Sequence, residues 1–344
     1  MILAVINNLS FTIRIHMLII KNYDGESKKG YIMYTLYEEM INLIGICDTA
    51  FNHEKNIKQY FTEKYHQIPN AIIFYVFFSF FSKEMYTKIR VELPTTKIIV
   101  WTDDIHWFRR STRDNNYFVY THCDYILSHY NFYKMFYNID IDNKIIRLRH
   151  SCSTIFLRDQ INYNSDDKIY MYGAVGVHYH LRNNFLNKMK KYSDKLVYYK
   201  HPGYHGDKHD VTINTAKTLY QYSFAFTSGS FPIFDIKETS STPYYLVGKF
   251  FEIPGSGALL LCDDYGVKKE LNEIGFYDMV NYININNENF DAIISFLFSQ
   301  SNKEKINQIR KNGWELVKKK HSVTERLNDI NKKIVNILDT FGNQ

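Results

Sequence analysis

The sequence predicts an α/β protein made of two Rossmann-like, doubly wound domains that face each other across a cleft. Two observations carry this prediction. The chain has 344 residues, and a domain commonly holds roughly 100–200 residues. Short apolar runs alternate with longer amphipathic stretches in both halves of the chain, which is typical of parallel sheets with helices on both faces.

In the first half, several short apolar runs have the length and composition of buried strands. They are Met17–Lys21, Ala71–Phe77, Lys97–Trp101, Tyr125–Ser128 and Lys144–Leu148. Between these runs, apolar residues recur at helical spacing in three stretches. The predicted helices are Tyr31–Leu43, His53–His66 and Phe132–Tyr137.

The second half repeats this alternation. Its predicted strands are Lys168–Tyr172, Lys195–Lys200, Tyr222–Phe226, Ala258–Cys262 and Met279–Ile283. Its predicted helices are Leu181–Lys191, Val211–Tyr220, Pro243–Glu252, Asn289–Phe298, Lys303–Lys318 and Ser322–Leu338.

A polar stretch at 158–167 separates the two halves and is the predicted linker. We therefore expect an N-terminal domain at 1–157 and a C-terminal domain at 168–344 that includes the terminal helices. In folds of this kind ligands bind outside the carboxyl ends of the strands. With two domains, the cleft between them is the expected binding site.

The composition narrows the class of protein. A net charge of +6 suits an enzyme that holds phosphorylated substrates and is too small for a dedicated nucleic-acid binder. The 4 cysteines are far apart and form no Cys-x-x-Cys pair, which favours a reducing compartment such as the cytoplasm. The longest apolar run, Ala71–Phe81, is well short of the roughly 20 residues of a membrane span.

The clearest chemical motif is the segment Lys249–Cys262, because the chain has neither a G-x-x-x-x-G-K-[ST] phosphate loop nor a G-x-S-x-G nucleophile elbow. Thr242 and Pro243 are suited to the N-cap and first position of a helix. Lys249 and Glu252 would then lie near its end, three residues apart. Taken alone, these two residues could also form an ordinary surface ion pair.

This segment resembles the donor-binding motif of GT-B glycosyltransferases, in particular the group 1 branch that includes spore-maturation-type proteins. The pattern K/R-x-F-E-x-x-x-x-G before an apolar strand is matched by Lys249, Phe251, Glu252 and Gly257, followed by Ala258–Leu261. In that family the glutamate binds the ribose hydroxyls of a nucleotide sugar, a role that suits a carboxylate because it accepts two hydrogen bonds. The resemblance and the A/T-biased composition suggest a large DNA virus or an A/T-rich microbe as the source.

Other pieces of the chain extend the resemblance, including His201–Tyr204 and a tail at Ile309–Gly313 and His321–Arg326 that is structural in the family. Arg182, near a helix start, would reach the diphosphate; a solvated arginine is the alternative. The second glutamate of related retaining enzymes is replaced by Tyr244 and Tyr245, so inversion and retention both stay open. The donor-binding residues that the resemblance implies are Glu252, Lys249, Arg182, Gly257, Ser256, Gly255, Gly173 and His201.

Candidate catalytic residues of the first domain follow the predicted strand Lys97–Trp101. Asp103, Asp104 and His106 lie where α/β sites form and could supply the general base for an acceptor hydroxyl. Their alternative role is loop capping. His150, in the crossover between the domains, is a further candidate.

The resulting hypothesis is a glycosyltransferase that moves a sugar from a nucleoside-diphosphate sugar to a hydroxyl of a glycan or a protein. Its two rivals are a catalytically inactive nucleotide-sugar-binding module and a DNA-directed glucosyltransferase. No cofactor or metal is expected, because protein cations hold the diphosphate in GT-B enzymes. His201, His205 and His209 are spaced four apart, but one proline and two glycines interrupt the helix that a shared face requires.

Overall fold

The computed structural model describes residues 17–20, 39, 46–48, 56–76, 82–102, 113–130, 139–175, 179–200, 209–230 and 243–342. The chain divides into two compact units. The first comprises Met1–Tyr23, Ile41–Leu148 and Leu327–Gln344, and the second comprises Asp24–Met40 and Arg149–Arg326. The predicted linker 158–167 falls inside the second unit, where Ile161 is buried.

The first unit is built on a sheet of parallel strands in the order β2-β1-β3-β4-β5-β6. The strands are β1 (Met17–Ile20), β2 (Ile46–Asp48), β3 (Ala71–Val76), β4 (Lys97–Thr102), β5 (Tyr125–Ser128) and β6 (Ile145–Arg147). Consecutive residues of the central strands are fully buried, at 71–74 and 98–101. Layers therefore cover both faces of this sheet, as expected of parallel strands.

The described helices of the first unit are α1 (Ile57–Tyr65), α2 (Lys83–Glu92) and α3 (Arg113–His122). Asn56 and Ser82 are the N-caps of α1 and α2. The Asn56 side chain accepts a hydrogen bond of 2.7 Å from the backbone N–H of Gln59, and the Ser82 hydroxyl accepts one of 3.1 Å from that of Met85. The sequence does not predict α2 or α3. Only Met85 and Ile89 of α2 are buried, so its apolar periodicity is weak. The predicted helices Tyr31–Leu43 and Phe132–Tyr137 lie outside the described residues, except Glu39.

The second unit has its own parallel sheet, in the order β11-β10-β9-β7-β8. Its strands are β7 (Asp166–Gly173), β8 (Leu196–Lys200), β9 (Tyr222–Ser228), β10 (Leu259–Asp263) and β11 (Ile283–Asn284). Its described helices are α4 (His180–Met189), α5 (His209–Leu219), α6 (Lys249–Gly255), α7 (Lys268–Glu273), α8 (Phe290–Leu297) and α9 (Lys303–Leu316). The last helix, α10 (Val323–Gly342), begins in the second unit and continues into the first from Leu327. Across all the described ranges, no helix has the length and apolar character needed to cross a bilayer.

The second sheet separates two hydrophobic cores. Side chains alternate across a strand with period two, so neighbouring residues enter opposite cores. One core takes Tyr170, Tyr172, Ala225, Leu260 and Cys262. The other takes Ile169, Met171, Phe224, Phe226, Leu259 and Leu261. Apolar residues on both faces of the strands explain why these segments read as continuous hydrophobic runs in the sequence.

The strand order also locates the point where a ligand site can form. From β7 the chain crosses to β8 on one side of the sheet and then to β9 on the other. The carboxyl ends of β7 and β9 thus flank the topological switch point, which is where ligands bind in open α/β sheets.

Two predicted elements are wrong. Helix α6 begins at Lys249 and not at Pro243, because Tyr245 instead pairs with Ser230 through two backbone hydrogen bonds of 3.1 and 2.8 Å. The strand expected at Met279–Ile283 is confined to β11, since Met279 has a positive φ of 58° and donates its N–H to the Tyr282 carbonyl in a turn.

Candidate functional site

The end of β7 brings a lysine against the backbone at the switch point. Gly173, the last residue of β7, has a φ of +102°, which strongly favours glycine. A Cβ at this position would lie 3.0 Å from both Cε and Nζ of Lys249. Glycine is therefore required here both for its conformation and for the close approach of Lys249.

Arg182 joins the two strand ends that flank the switch point. It lies in the first turn of α4 and is only 2% exposed. Its guanidinium donates to the Ala174 carbonyl at 3.2 Å, just after β7, and to the Ser228 carbonyl at 3.5 Å, at the end of β9. The ring of Tyr179 lies 4.3 Å below it. Nε is buried and has no hydrogen-bond partner within the described residues, so donor capacity remains on this group.

Glu252 is a buried carboxylate within electrostatic reach of Lys249 and Arg182. It is 7% exposed, and Oε2 accepts a hydrogen bond of 2.6 Å from the hydroxyl of Tyr172 on β7. Burial raises the pKa of Glu252, while Lys249, the Tyr172 hydroxyl and Arg182 oppose that rise. Lys249 and Glu252 do not form a surface ion pair, because the Glu252 carboxylate is buried and Lys249 makes no hydrogen bond or ion pair within the described ranges.

Lys249 is half-buried, and its side-chain amine is an unusually weak base for a lysine. Its Nζ lies 5.0 Å from the centre of the Tyr172 ring. Removal from water and the nearby charge of Arg182 lower the pKa of Lys249 to about 8, while Glu252 partly opposes the shift. Two cations thus share the site with one carboxylate, and their mutual repulsion is relieved by an anion.

This arrangement can perform two kinds of recognition. Arg182 and Lys249, at the carboxyl ends of β7 and β9, can hold a diphosphate through charge-assisted hydrogen bonds. Glu252, held by Tyr172, can accept hydrogen bonds from a vicinal diol. The predicted donor residues Gly173, Arg182, Lys249 and Glu252 therefore come together in the structure.

The three other donor candidates of the motif make packing contacts around the turn from α6 to β10. A Cβ on Gly255 would overlap Sγ of the buried Cys152. The Ser256 hydroxyl donates to the Ile253 carbonyl at 2.7 Å, inside α6. Gly257 has a φ of +84°, and its carbonyl accepts a 3.0 Å hydrogen bond from Arg310. Their donor-binding roles remain predictions.

His150 lies buried near the start of α10. It is 5% exposed, and its carbonyl accepts a 3.3 Å hydrogen bond from Arg326. The same guanidinium contacts Nδ1 of His321 at 2.9 Å, and Nε2 of His321 lies 2.9 Å from the Ile274 carbonyl. Burial and Arg326 lower the pKa of His321 to about 4. These contacts give the tail residues the structural role that the sequence suggested, and the catalytic role of His150 remains a prediction.

The remaining candidates, Asp103, Asp104, His106 and His201, lie outside the described residues. Within the described ranges, no group of His, Cys, Asp and Glu side chains is arranged to hold a metal ion.

Sequence reasoning missed Tyr172, Tyr179 and Ser228, which hold Glu252 and Arg182 in place. A tyrosine at the carboxyl end of a predicted strand, directly before a glycine turn, was the available signal for Tyr172. It does not stand out in a chain with 29 tyrosines.

The two Rossmann-like units, each with a parallel sheet, match the GT-B fold. Solved structures share it. Alr3699/HepE of Anabaena, in complex with UDP and glucose, matches with a TM-score of 0.53 over 95% of this chain and 100% of its own, at 8% identity. An alpha-glucosyltransferase in complex with UDP and a 13-mer DNA matches with a TM-score of 0.55 over 94% and 99%, at 11% identity. No protein-family profile and no curated protein sequence matches the chain.

Proposed function

We propose that this protein is a glycosyltransferase that transfers a sugar from a nucleoside-diphosphate sugar to a hydroxyl acceptor. The observation that carries the proposal is the pair Arg182 and Lys249 at the switch point, beside the tyrosine-held carboxylate of Glu252. The GT-B neighbours, whose structures contain UDP, support this interpretation. The spacing from Lys249 to Gly257 supports the group 1, spore-maturation-type branch.

In this proposal the cations act on the leaving group. Cleavage of the sugar–phosphate bond places negative charge on the departing nucleoside diphosphate, and Arg182 and Lys249 lie ready to stabilise it. Fixed charges of this kind are usually the largest contribution to catalysis. Holding the diphosphate with side chains requires no metal ion. Glu252 would orient the donor through its ribose.

The proposal for the acceptor side is based on the sequence of the first unit. Asp104 or His106, with Asp103 beside them, would take the acceptor proton in an inverting reaction, with His150 as a further candidate; in a retaining reaction this base is not needed. We propose a glycan or protein hydroxyl as acceptor. A cytoplasmic reaction fits the free, buried thiols of Cys123, Cys152 and Cys262.

The test begins with UDP-, GDP- and dTDP-sugars, scored by thermal stabilisation and by donor hydrolysis. A ligand at 100 times its Kd adds about 2.7 kcal/mol to the free energy of unfolding, which is easily detected. Glu252→Gln should then weaken binding of the stabilising donor by about tenfold or more, because it removes a charged acceptor. The matched control is Glu304→Gln, the same change on the exposed face of α9. Equal donor binding in both variants would contradict the Glu252 assignment.

Two outcomes would favour the rival functions. Donor binding with neither hydrolysis nor transfer, across glycan and protein acceptors, would indicate an inactive binding module. Duplex DNA is the alternative acceptor, because one structural neighbour is bound to DNA. Glucosylation of duplex DNA, with binding that weakens steeply as salt rises, would favour it.

A further inference from the structure

The two oxygens of the Glu252 carboxylate have different environments. Oε2 is committed to the hydroxyl of Tyr172, in a buried hydrogen bond of 2.6 Å. Oε1 makes no hydrogen bond to any residue of the described ranges and faces Gly248, where a Cβ would lie 2.8 Å from it. Glycine at 248 therefore leaves this oxygen uncrowded, and Glu252 keeps 7% exposure. One oxygen is anchored and the other is available to a ligand.

We propose that Tyr172 is a positioning residue that orients Glu252 toward the ribose of the donor, so that the site selects ribonucleotides over 2′-deoxyribonucleotides. This inference rests on the proposed function. Tyr172 does not contact the ligand in this account. It acts through Glu252, whose free oxygen accepts from the 2′-hydroxyl.

The physical reason is that the hydrogen bond from Tyr172 to Oε2 restricts the rotation of the Glu252 carboxylate. Without the tyrosine hydroxyl, the Glu252 side chain can rotate among its rotamers, and its binding to a diol then costs conformational entropy. The same hydrogen bond favours the ionised carboxylate against the effect of burial on its pKa. A protonated carboxyl would accept less well from two sugar hydroxyls.

Tyr172 has a second contact that a conservative change preserves. Its ring lies beside Nζ of Lys249, 5.0 Å away. Tyr172→Phe keeps this ring and removes only the hydroxyl. Tyr170→Phe is the matched control: Tyr170 lies two residues earlier on the same face of β7, stacked on Tyr172 at 5.6 Å, and its hydroxyl makes no hydrogen bond to the described residues.

The experiment measures the Kd of UDP and GDP, each beside its 2′-deoxy form, by calorimetry. We expect the wild type to prefer the ribonucleotide by about tenfold or more, the size of a charged hydrogen bond. In Tyr172→Phe this preference should fall to about threefold or less, while Tyr170→Phe keeps the wild-type ratio. A purely structural role for Tyr172 would weaken both ligands equally and leave the ratio unchanged, which would overturn the proposal.

Further measurements keep the test independent of how well the variant folds. In the wild type, the preference for ribose should decline on acidification, because protonated Glu252 accepts poorly. In a Glu252→Gln background, Tyr172→Phe should have no additional effect on the ratio. A wild type that binds UDP or GDP without distinguishing the 2′-deoxy form overturns both the role of Tyr172 and the contact of Glu252 with the 2′-hydroxyl, while the diphosphate site of Arg182 and Lys249 stands. A wild type that binds none of the four nucleotides refutes the donor site itself.

Discussion

Donor binding should weaken as the pH rises through 8, because Lys249 then loses the proton that attracts the diphosphate. Burial and Arg182 lower the pKa of Lys249 to about 8. The groups that face it are Arg182, whose guanidinium stays protonated in proteins, Glu252, whose pKa is raised by burial, and the ring of Tyr172. The interval from pH 6.5 to 8.5 spans the pKa of about 8 of Lys249, and a variant without the lysine amine separates its titration from that of Glu252.

The magnitude follows from the protonated fraction. If the diphosphate binds only the ammonium form, the affinity falls in proportion to that fraction, by about fourfold between pH 6.5 and 8.5. This corresponds to about 0.8 kcal/mol. UDP-glucose is the suitable probe, because both negative charges of its diphosphate persist throughout the interval. Calorimetric titration at several pH values measures the change.

The control is Lys249→Met, which keeps an unbranched apolar stem without the charge. It should bind UDP-glucose more weakly and with a flat pH profile over the same interval. A wild type that binds with an equally flat profile would refute the reasoning, and so would a variant that retains the wild-type slope.

The same pKa shift has the opposite sign for folding. The unfolded chain holds the Lys249 proton up to the ordinary pKa of 10.5, whereas the folded chain releases it at about 8. The unfolded state binds more protons between these values, so this group makes the free energy of unfolding rise with pH there. Ligand affinity and apo stability should therefore change in opposite directions above pH 8.

Two further predictions concern glycines. Gly173→Ala combines a positive φ with a Cβ 3.0 Å from Nζ of Lys249. It should lower the free energy of unfolding, measured in urea, by about 1–3 kcal/mol and weaken UDP-glucose binding. A variant with unchanged stability and binding would contradict the close approach of Lys249. Gly255→Ala should destabilise by about 1–3 kcal/mol through overpacking against Cys152. Adding Cys152→Ala should recover part of that loss, whereas simple additivity in the double variant would contradict the overlap.

The central strands β3, β4, β5, β7, β9 and β10 were predictable because each contains a short run of consecutive buried apolar residues. The short strand β2 was not predicted. The prediction of Tyr125–Ser128 is confirmed at both ends, and that of Lys97–Trp101 differs from β4 by one residue. Helix α6 was not predictable in the same way. Thr242 and Pro243 are good local signals for a helix start, but the backbone N–H and C=O of Tyr245 are hydrogen-bonded to Ser230. A pairing between segments distant in sequence here overrides the local helix propensity.

The α/β class, the parallel strands and the two motif residues Lys249 and Glu252 follow from local sequence patterns, because apolar periodicity and short motifs are local properties. Which residues share a site depends on the three-dimensional fold. Strand order places the ends of β7 and β9 side by side, so that Arg182 bridges them and Tyr172 reaches Glu252 across 80 positions of chain. Contacts of this kind depend on how the sheet is assembled, and no local pattern encodes that order.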